Sequence, residues 1–151
     1  MNGHFFTLRN AKLVALPSGA LWWPEQQILC VSDLHFGKSD RIARRSGGLL
    51  PPYEVRDTLL RLESDIAAAQ AKRVICLGDS WDDLRSAETL PEDERFWLIR
   101  LMADRDWIWI EGNHDPGPID LAGRHMSELG IDGLTFRHMA CLLYTSDAAD
   151  E

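Results

Sequence analysis

The sequence lacks the features of a membrane or secreted protein. It has no apolar run approaching the roughly 20 residues that a membrane-spanning helix needs. Its first residues do not combine a basic segment, a long apolar stretch and a small-residue cleavage site, which together make a secretory signal peptide. We therefore expect a cytoplasmic protein that has no membrane partner.

Cysteine is scarce, with only Cys30, Cys76 and Cys141 in the chain. The three show no CxxC spacing and do not make an even disulfide set, which argues against a disulfide framework or a CxxC site. Cys30 and Cys76 each lie inside an apolar run, and we expect both to be buried as small apolar side chains.

Basic residues are outnumbered, with 16 Lys and Arg against 24 Asp and Glu and a formal net charge of -8. Surfaces that hold nucleic acid by bulk electrostatics are basic, so the composition argues against such a surface. A nucleic-acid substrate is not excluded. Several of the acids are candidate metal ligands, and bound divalent cations would reverse the local charge.

Internal repeats, low-complexity segments and long linkers are also absent from the 151 residues. A chain of this length with 45% hydrophobic residues fits one domain with its own core. Apolar patterns predict short strands early in the chain, three buried strands later and helices between them. The predicted strands cover 5–8, 12–16, 20–23, 28–31, 73–77 and 107–110, and the predicted helices cover 53–71, 91–103 and 119–129. This alternation predicts an α/β fold whose sheet is at least partly parallel.

A polar cluster follows each of the three buried strands. The clusters are Asp33-Leu34-His35, Gly78-Asp79-Ser80-Trp81-Asp82 and Gly112-Asn113-His114-Asp115. Sites in α/β sheets collect where the carboxyl ends of strands open into loops, so three such clusters predict one composite site.

The residue types in these clusters are those of a metal site. Asp33 and His35 are two residues apart, so an extended backbone places both side chains on one face. The carboxylate of Asp79 has two oxygens that can bridge two cations, and Asn113 offers an amide oxygen. This mixture suits Mn, Fe, Zn or Co. Each cluster alone also fits a helix cap or a turn, and only their order makes metal binding the favoured interpretation.

The order Asp-x-His, Gly-Asp-x-x-Asp and Gly-Asn-His-Asp resembles the calcineurin-like metallophosphoesterases. Four segments together are similar to the bacterial ligase-associated DNA-damage-response phosphodiesterases or endonucleases. They are Ala20-Leu21-Trp22-Trp23-Pro24, Asp33-Leu34-His35-Phe36-Gly37-Lys38, Leu77-Gly78-Asp79-Ser80 and Gly112-Asn113-His114-Asp115-Pro116. That branch would have His at position 82, whereas Asp82 matches the wider superfamily. The resemblance implies a β-sandwich flanked by helices (α/β/β/α layers) and DNA-ligase-associated repair proteins as partners.

The resemblance also implies a role for each matching residue. Two divalent ions, most readily Mn, would be bound by protein side chains. One imidazole and one carboxylate that do not bind the ions would act in catalysis. The implied metal ligands are Asp33 and His35 for the first ion, Asn113 and His138 for the second, and Asp79 between them. The implied catalytic residues are His114, which protonates the leaving group, and Asp82, which orients His114.

The function that follows is phosphodiester hydrolysis, most readily of single-stranded nucleic acid or nucleotides, by in-line attack of a metal-bound hydroxide. A small-molecule phosphatase or pyrophosphatase would use the same site, and an inactive fragment or scaffold is a further alternative. Lys38, Arg41 and Arg45 share a face at helical spacing and are candidates for binding substrate phosphates, although a solvated basic face fits equally well. Trp81 lies within the second motif, where a substrate would contact it.

The resemblance covers roughly residues 4–140, which we expect to form one incomplete domain over 1–140. The family's Gly-His-x-His motif does not follow His138. Residues 141–151 resemble a translated sequencing adapter, and we expect them to be a non-native tail. On this interpretation the C-terminal part of the fold is missing and the 151-residue chain itself is poorly active.

Overall fold

The computed structural model describes residues 3–32, 34, 53–78, 90–111 and 122–138. This part of the chain holds nine strands, two α-helices and a short 3-10 helix at Pro24–Gln26. The strands are β1 (His4–Leu8), β2 (Ala11–Ala15), β3 (Leu21–Trp23), β4 (Ile28–Ser32), β5 (Arg73–Leu77), β6 (Asp106–Ile110), β7 (Arg124–Met126), β8 (Leu129–Ile131) and β9 (Leu134–Phe136). The helices are α1 (Tyr53–Ala69) and α2 (Glu92–Met102).

Seven of these strands form one mixed sheet in the order β1-β2-β3-β4-β5-β6-β7. The first four pair antiparallel as a meander, because short turns such as Arg9-Asn10 join neighbouring strands. From β4 onward the pairing is parallel, and α1 and α2 make the crossovers from β4 to β5 and from β5 to β6. The sheet is therefore partly parallel, as the sequence pattern predicts.

Both faces of the central strands are buried. In β6 the side chains of Trp107 and Trp109 pack with the helices, while those of Ile108 and Ile110 face the opposite way. The helices contribute Leu59, Leu62 and Ile66 from α1 and Leu98, Leu101 and Met102 from α2 to the first of these cores. Such double coverage explains why the parallel strands appear in the sequence as continuous apolar runs.

The antiparallel pair β8–β9 covers part of the second face. Leu134 and Phe136 of β9 are buried in the core that contains Ile75 and Ile108. The Phe136 ring lies 6.4 Å from the ring of Trp23, measured between centroids. The described layers are thus helices, the large sheet and a second small sheet. They agree with the predicted α/β fold of the calcineurin type.

The two predicted buried cysteines, Cys30 and Cys76, are buried on opposite faces of the sheet. Burial raises the pKa of the Cys30 thiol from 9.0 to about 12, because the thiolate would lose its hydration inside the apolar core. None of the helices in the described ranges is both long and apolar enough to span a bilayer.

The predicted helix over 119–129 is wrong for its described part. Arg124–Met126 forms strand β7, and Leu129 begins strand β8. The open edge of β6 accounts for this result: β7 pairs with it in parallel, with Ile108 opposite Arg124. Gly123, at φ +104, turns the chain into that strand. Pairing with an exposed strand edge outweighs the weak helical spacing of this segment.

Candidate active site

The carboxyl ends of β4, β5 and β6 lie side by side. Ser32 is paired with Leu77, and Leu77 is paired with Ile110, so the last residues of the three strands are at one level of the sheet. With neighbouring strands about 4.8 Å apart, the three ends fall within roughly 10 Å of one another. The three sequence motifs therefore start from a common edge, which we call the carboxyl edge.

Most of the predicted site residues lie outside the described residues. These are the predicted ligands and catalytic groups Asp33, His35, Asp79, Asp82, Asn113 and His114, and the predicted substrate contacts Lys38, Arg41, Arg45 and Trp81. Among residues 3–32, 34, 53–78, 90–111 and 122–138, no three His, Cys, Asp or Glu side chains come together as a metal site. The roles of these ten residues stay predictions.

His138 is the predicted ligand that the structure does describe, and it lies at the carboxyl edge. Its Nδ1 is 3.0 Å from the carbonyl oxygen of Leu77, the last residue of β5. Because a carbonyl oxygen only accepts hydrogen bonds, Nδ1 carries the proton and donates it. In the neutral ring the lone pair then resides on Nε2. A backbone carbonyl that fixes the imidazole in this way is a common second partner of metal-binding histidines.

Gly78 makes room for this imidazole. A Cβ at position 78 would lie 2.8 Å from the Cβ of His138 and 2.5 Å from its Cγ, distances that real side chains do not tolerate. The residue also has φ +66, which glycine adopts at little cost. A glycine here lets the backbone come close to another group. In the structure the group that approaches is His138, 60 positions later, and no local pattern indicates that contact.

The β8–β9 pair carries His138 to this position. Leu129 pairs with Phe136, and the Arg137 guanidinium donates to the carboxylate of Glu128, which holds the end of β9 next to the start of β8. Burial of Phe136 beneath the large sheet fixes the residue two positions before His138. The small sheet is therefore the support of the histidine.

The end of β6 is held by the segment that follows it. The amide of Glu111 donates to the carbonyl of Met126 at 2.9 Å, which extends the β6–β7 pairing by one residue. On the helical face of the sheet, Trp109 donates from Nε1 to the carbonyl of Ala122 at 3.0 Å. These bonds fix the strand just before the sequence Gly112-Asn113-His114.

A cleft of about 310 Å³ opens beside the end of β4. Ser32 and Leu34, the two neighbours of Asp33 in the sequence, line it together with residues of α1 and of the turn at Ser18-Gly19. The residues that α1 contributes are Thr58, Arg61, Leu62 and Asp65. Sequence reasoning missed this cleft, although the i, i+3, i+4, i+7 spacing of the four residues places them on one helix face.

Comparison with known families agrees with this geometry. A model of the calcineurin-like phosphoesterase family matches residues 27–147, which include all three parallel strands that end at the carboxyl edge. The chain belongs to the calcineurin-like phosphoesterases. The family generally uses divalent metal ions and hydrolyses phosphoesters.

The fold is similar to that of the nuclease MPE of Pseudomonas putida. The two structures superpose with a TM-score of 0.61 at 25% sequence identity, over 75% of this chain and 52% of the nuclease. This chain therefore spans about half the length of that protein. No curated protein matches the chain. The ligase-associated branch of the family stays a prediction.

Proposed function

We propose that this calcineurin-like phosphoesterase is a divalent-metal-dependent phosphodiesterase that acts on nucleic acid or nucleotides. The observation that carries the proposal is the placement of His138 against Gly78 and the Leu77 carbonyl. The family resemblance implies that His138 is a metal ligand. This placement brings His138 to the end of β5, which is followed in the sequence by the predicted ligand Asp79. The aligned ends of β4 and β6, which lead into Asp33 and Asn113, support the same site.

The donor chemistry fits two divalent ions. Proton placement on Nδ1 of His138 gives the tautomer that binds a metal through Nε2. The proposed ligands are His138 with Asp33, His35, Asp79 and Asn113, a mixture of imidazole, carboxylate and amide that suits Mn²⁺. When bound, the ions supply Lewis-acid polarisation of the phosphoryl group and activation of water.

The proposed roles of the remaining residues concern protons. His114 would donate a proton to the leaving alkoxide, a contribution typically worth about 10²–10⁴ in rate. Asp82 would orient that imidazole and favour its charged form. The nuclease neighbour supports a nucleic-acid substrate. With a net charge of -8, affinity has to come from the ions and from a few positioned cations.

A side-by-side hydrolysis assay tests the proposal. The purified chain, with Mn²⁺ or with EDTA, is given single-stranded DNA, a cyclic nucleotide, bis(p-nitrophenyl) phosphate and p-nitrophenyl phosphate. Because we expect the 151-residue chain to be poorly active, the assay uses a high protein concentration and long incubation. We expect slow hydrolysis of diesters only with Mn²⁺, and none by Asp79→Asn, which would also lose bound metal. Faster release from the monoester would favour a small-molecule phosphatase, and metal binding without hydrolysis of any substrate would favour a non-catalytic scaffold.

His114→Ala separates chemistry from metal binding. This variant should retain its metal, measured by elemental analysis, and lose turnover of alkyl phosphodiesters by about 10²-fold or more. Aryl diesters, whose leaving groups need no proton, should be less affected. Alkyl diester hydrolysis within a few-fold of the parent rate would rule out the general-acid role.

A further inference from the structure

We infer that the cleft beside β4 is a binding subsite for the nucleotide next to the scissile phosphodiester, with Arg61 as its phosphate-binding residue. The inference deepens the proposed function and rests on it. Its starting point is location, since Ser32 and Leu34 line the cleft and flank the predicted ligand Asp33 in sequence. With Asp33 as a metal ligand, as proposed above, a group bound in the cleft would be next to the reacting phosphate.

The orientation of α1 gives the cleft a polarity. Because α1 connects two parallel strands, it runs back antiparallel to them, and its first turns lie toward the carboxyl edge. Thr58 and Arg61 are therefore nearer to the edge than Asp65. The Thr58 hydroxyl and the Arg61 guanidinium thus lie on the side of the cleft that faces the carboxyl edge, and the Asp65 carboxylate lies on the far side. This arrangement suits a ligand whose anionic group points toward the metal site.

The carboxylate of Asp65 already has a structural partner. The Ser18 hydroxyl donates to Asp65 at 2.5 Å and accepts from the amide of Ala20 at 3.3 Å. These bonds join the turn after β2 to α1 and form the inner wall of the cleft. Asp65 is therefore part of the wall, and among the described residues it forms no ion pair with Arg61.

Thr58 and Arg61 are the polar side chains that α1 offers to a ligand in the cleft, and Ser32 adds a hydroxyl from the end of β4. The Thr58 and Arg61 side chains make no hydrogen bond or ion pair with any residue in the described part of the chain. Leu62, buried beside them, anchors this face of the helix in the core. A guanidinium fork and a hydroxyl one turn apart match the non-bridging oxygens of a phosphodiester.

The size of the cleft favours a single nucleotide. Its volume of about 310 Å³ is at the lower end of the range of roughly 300–1,000 Å³ found for small-ligand sites. A cleft of this size has room for one sugar-phosphate unit, which favours a single-stranded substrate.

Binding of 5′-fluorescein-labelled oligothymidylate, followed by anisotropy in EDTA, tests the subsite without metal or turnover. Arg61→Ala should weaken binding about tenfold, the loss expected for one charge-assisted hydrogen bond. The slope of log K against log salt should fall by about 0.7, as for one lost phosphate contact on a single strand. Arg61→Lys should recover part of the affinity.

Arg100→Ala is the matched control, since Arg100 is an exposed arginine on α2 that does not line the cleft. Equal weakening by Arg61→Ala and Arg100→Ala would overturn the subsite, because it would show a bulk charge effect. Unchanged binding in Arg61→Ala, in a protein that melts like the parent, would also overturn it.

Kinetics provides the second readout. Arg61→Ala should raise KM for the oligonucleotide about tenfold and leave kcat/KM for bis(p-nitrophenyl) phosphate, which has no neighbouring phosphate, within twofold. An equal loss on both substrates would place Arg61 outside a neighbouring subsite. Failure of the parent chain to hydrolyse either substrate would overturn the proposed function alone, and the anisotropy experiment would still decide the subsite.

Discussion

Gly78 is the residue whose substitution tests the placement of His138 most directly. In Gly78→Ala the new methyl group would collide with the imidazole, which therefore has to leave its position at the Leu77 carbonyl. We expect Mn²⁺ affinity, measured by isothermal titration, to fall about 10–100-fold, the range found when the support of a metal ligand is lost.

Gly133→Ala is the control for backbone strain. Gly133 also has a positive φ, of +87, but a Cβ there meets nothing within 4 Å. Gly133→Ala should lose roughly 1–2 kcal/mol in the free energy of unfolding, because alanine is disfavoured in this region. Gly78→Ala should lose at least as much, because the collision with His138 adds to the same backbone strain. Gly133→Ala should bind Mn²⁺ like the parent. Equal Mn²⁺ affinities in the two variants would contradict a ligand role for His138.

Cys30 should be inert in the folded protein. Burial raises the pKa of its thiol to about 12, so almost no reactive thiolate exists near pH 8. Reaction with Ellman's reagent followed by peptide mass mapping should find Cys30 unmodified until guanidinium unfolds the chain. Above pH 9 the thiol ionises in the unfolded chain but stays protonated in the folded one, because its folded pKa is raised. The free energy of unfolding therefore falls as the pH rises from 9 towards 12 and is unaffected below that range. Labelling of Cys30 at equal rates in folded and unfolded protein would refute the buried assignment.

At the scale of secondary-structure elements, Asp106 ties three parallel strands together at their amino ends. Its carboxylate accepts from Arg73 of β5 at 2.9 Å and from Arg124 of β7 at 2.9 and 3.0 Å. Asp106→Asn should lower the free energy of unfolding by about 1 kcal/mol, because the groups are about a third exposed or more and solvent screens them.

Urea denaturation at two salt concentrations measures this effect. The loss in Asp106→Asn should shrink in 1 M NaCl, where the Debye length is about 3 Å. Asp57→Asn makes the same charge change at an exposed position of α1 and should alter stability far less. A loss that does not depend on salt would assign Asp106 a role other than pairing with the two arginines.

At the scale of the whole molecule, metal binding should stabilise the fold. A ligand at 100 times its Kd adds about 2.7 kcal/mol, which for a domain of this size raises Tm by about 5–10 °C. We expect this rise with Mn²⁺, reversal by EDTA, and little change in Asp79→Asn. A net charge of -8 also attracts cations non-specifically. An equal rise in Asp79→Asn would therefore show that the proposed site is not responsible.

Local sequence patterns are enough to predict the family and most of the elements up to β6. Continuous apolar runs mark β4, β5 and β6 because both faces of these strands are covered, and helical spacing of Leu59, Leu62 and Ile66 marks α1. Both are local patterns, so they are readable without the fold. The ordered motifs around Asp33, Asp79 and Asn113 indicate the metallophosphoesterase chemistry, and the roles of those residues remain predictions.

Features that depend on residues distant in the sequence could be seen only in the folded structure. The segment around Arg124 became a strand because the edge of β6 was open to it, a fact that no window of local sequence contains. His138 packs against Gly78, 60 positions earlier in the sequence. In the wall of the cleft, Ser18 bonds to Asp65, 47 positions later. Contacts of this kind arise only when strand register and helix packing are fixed, because those alone determine which residues become neighbours.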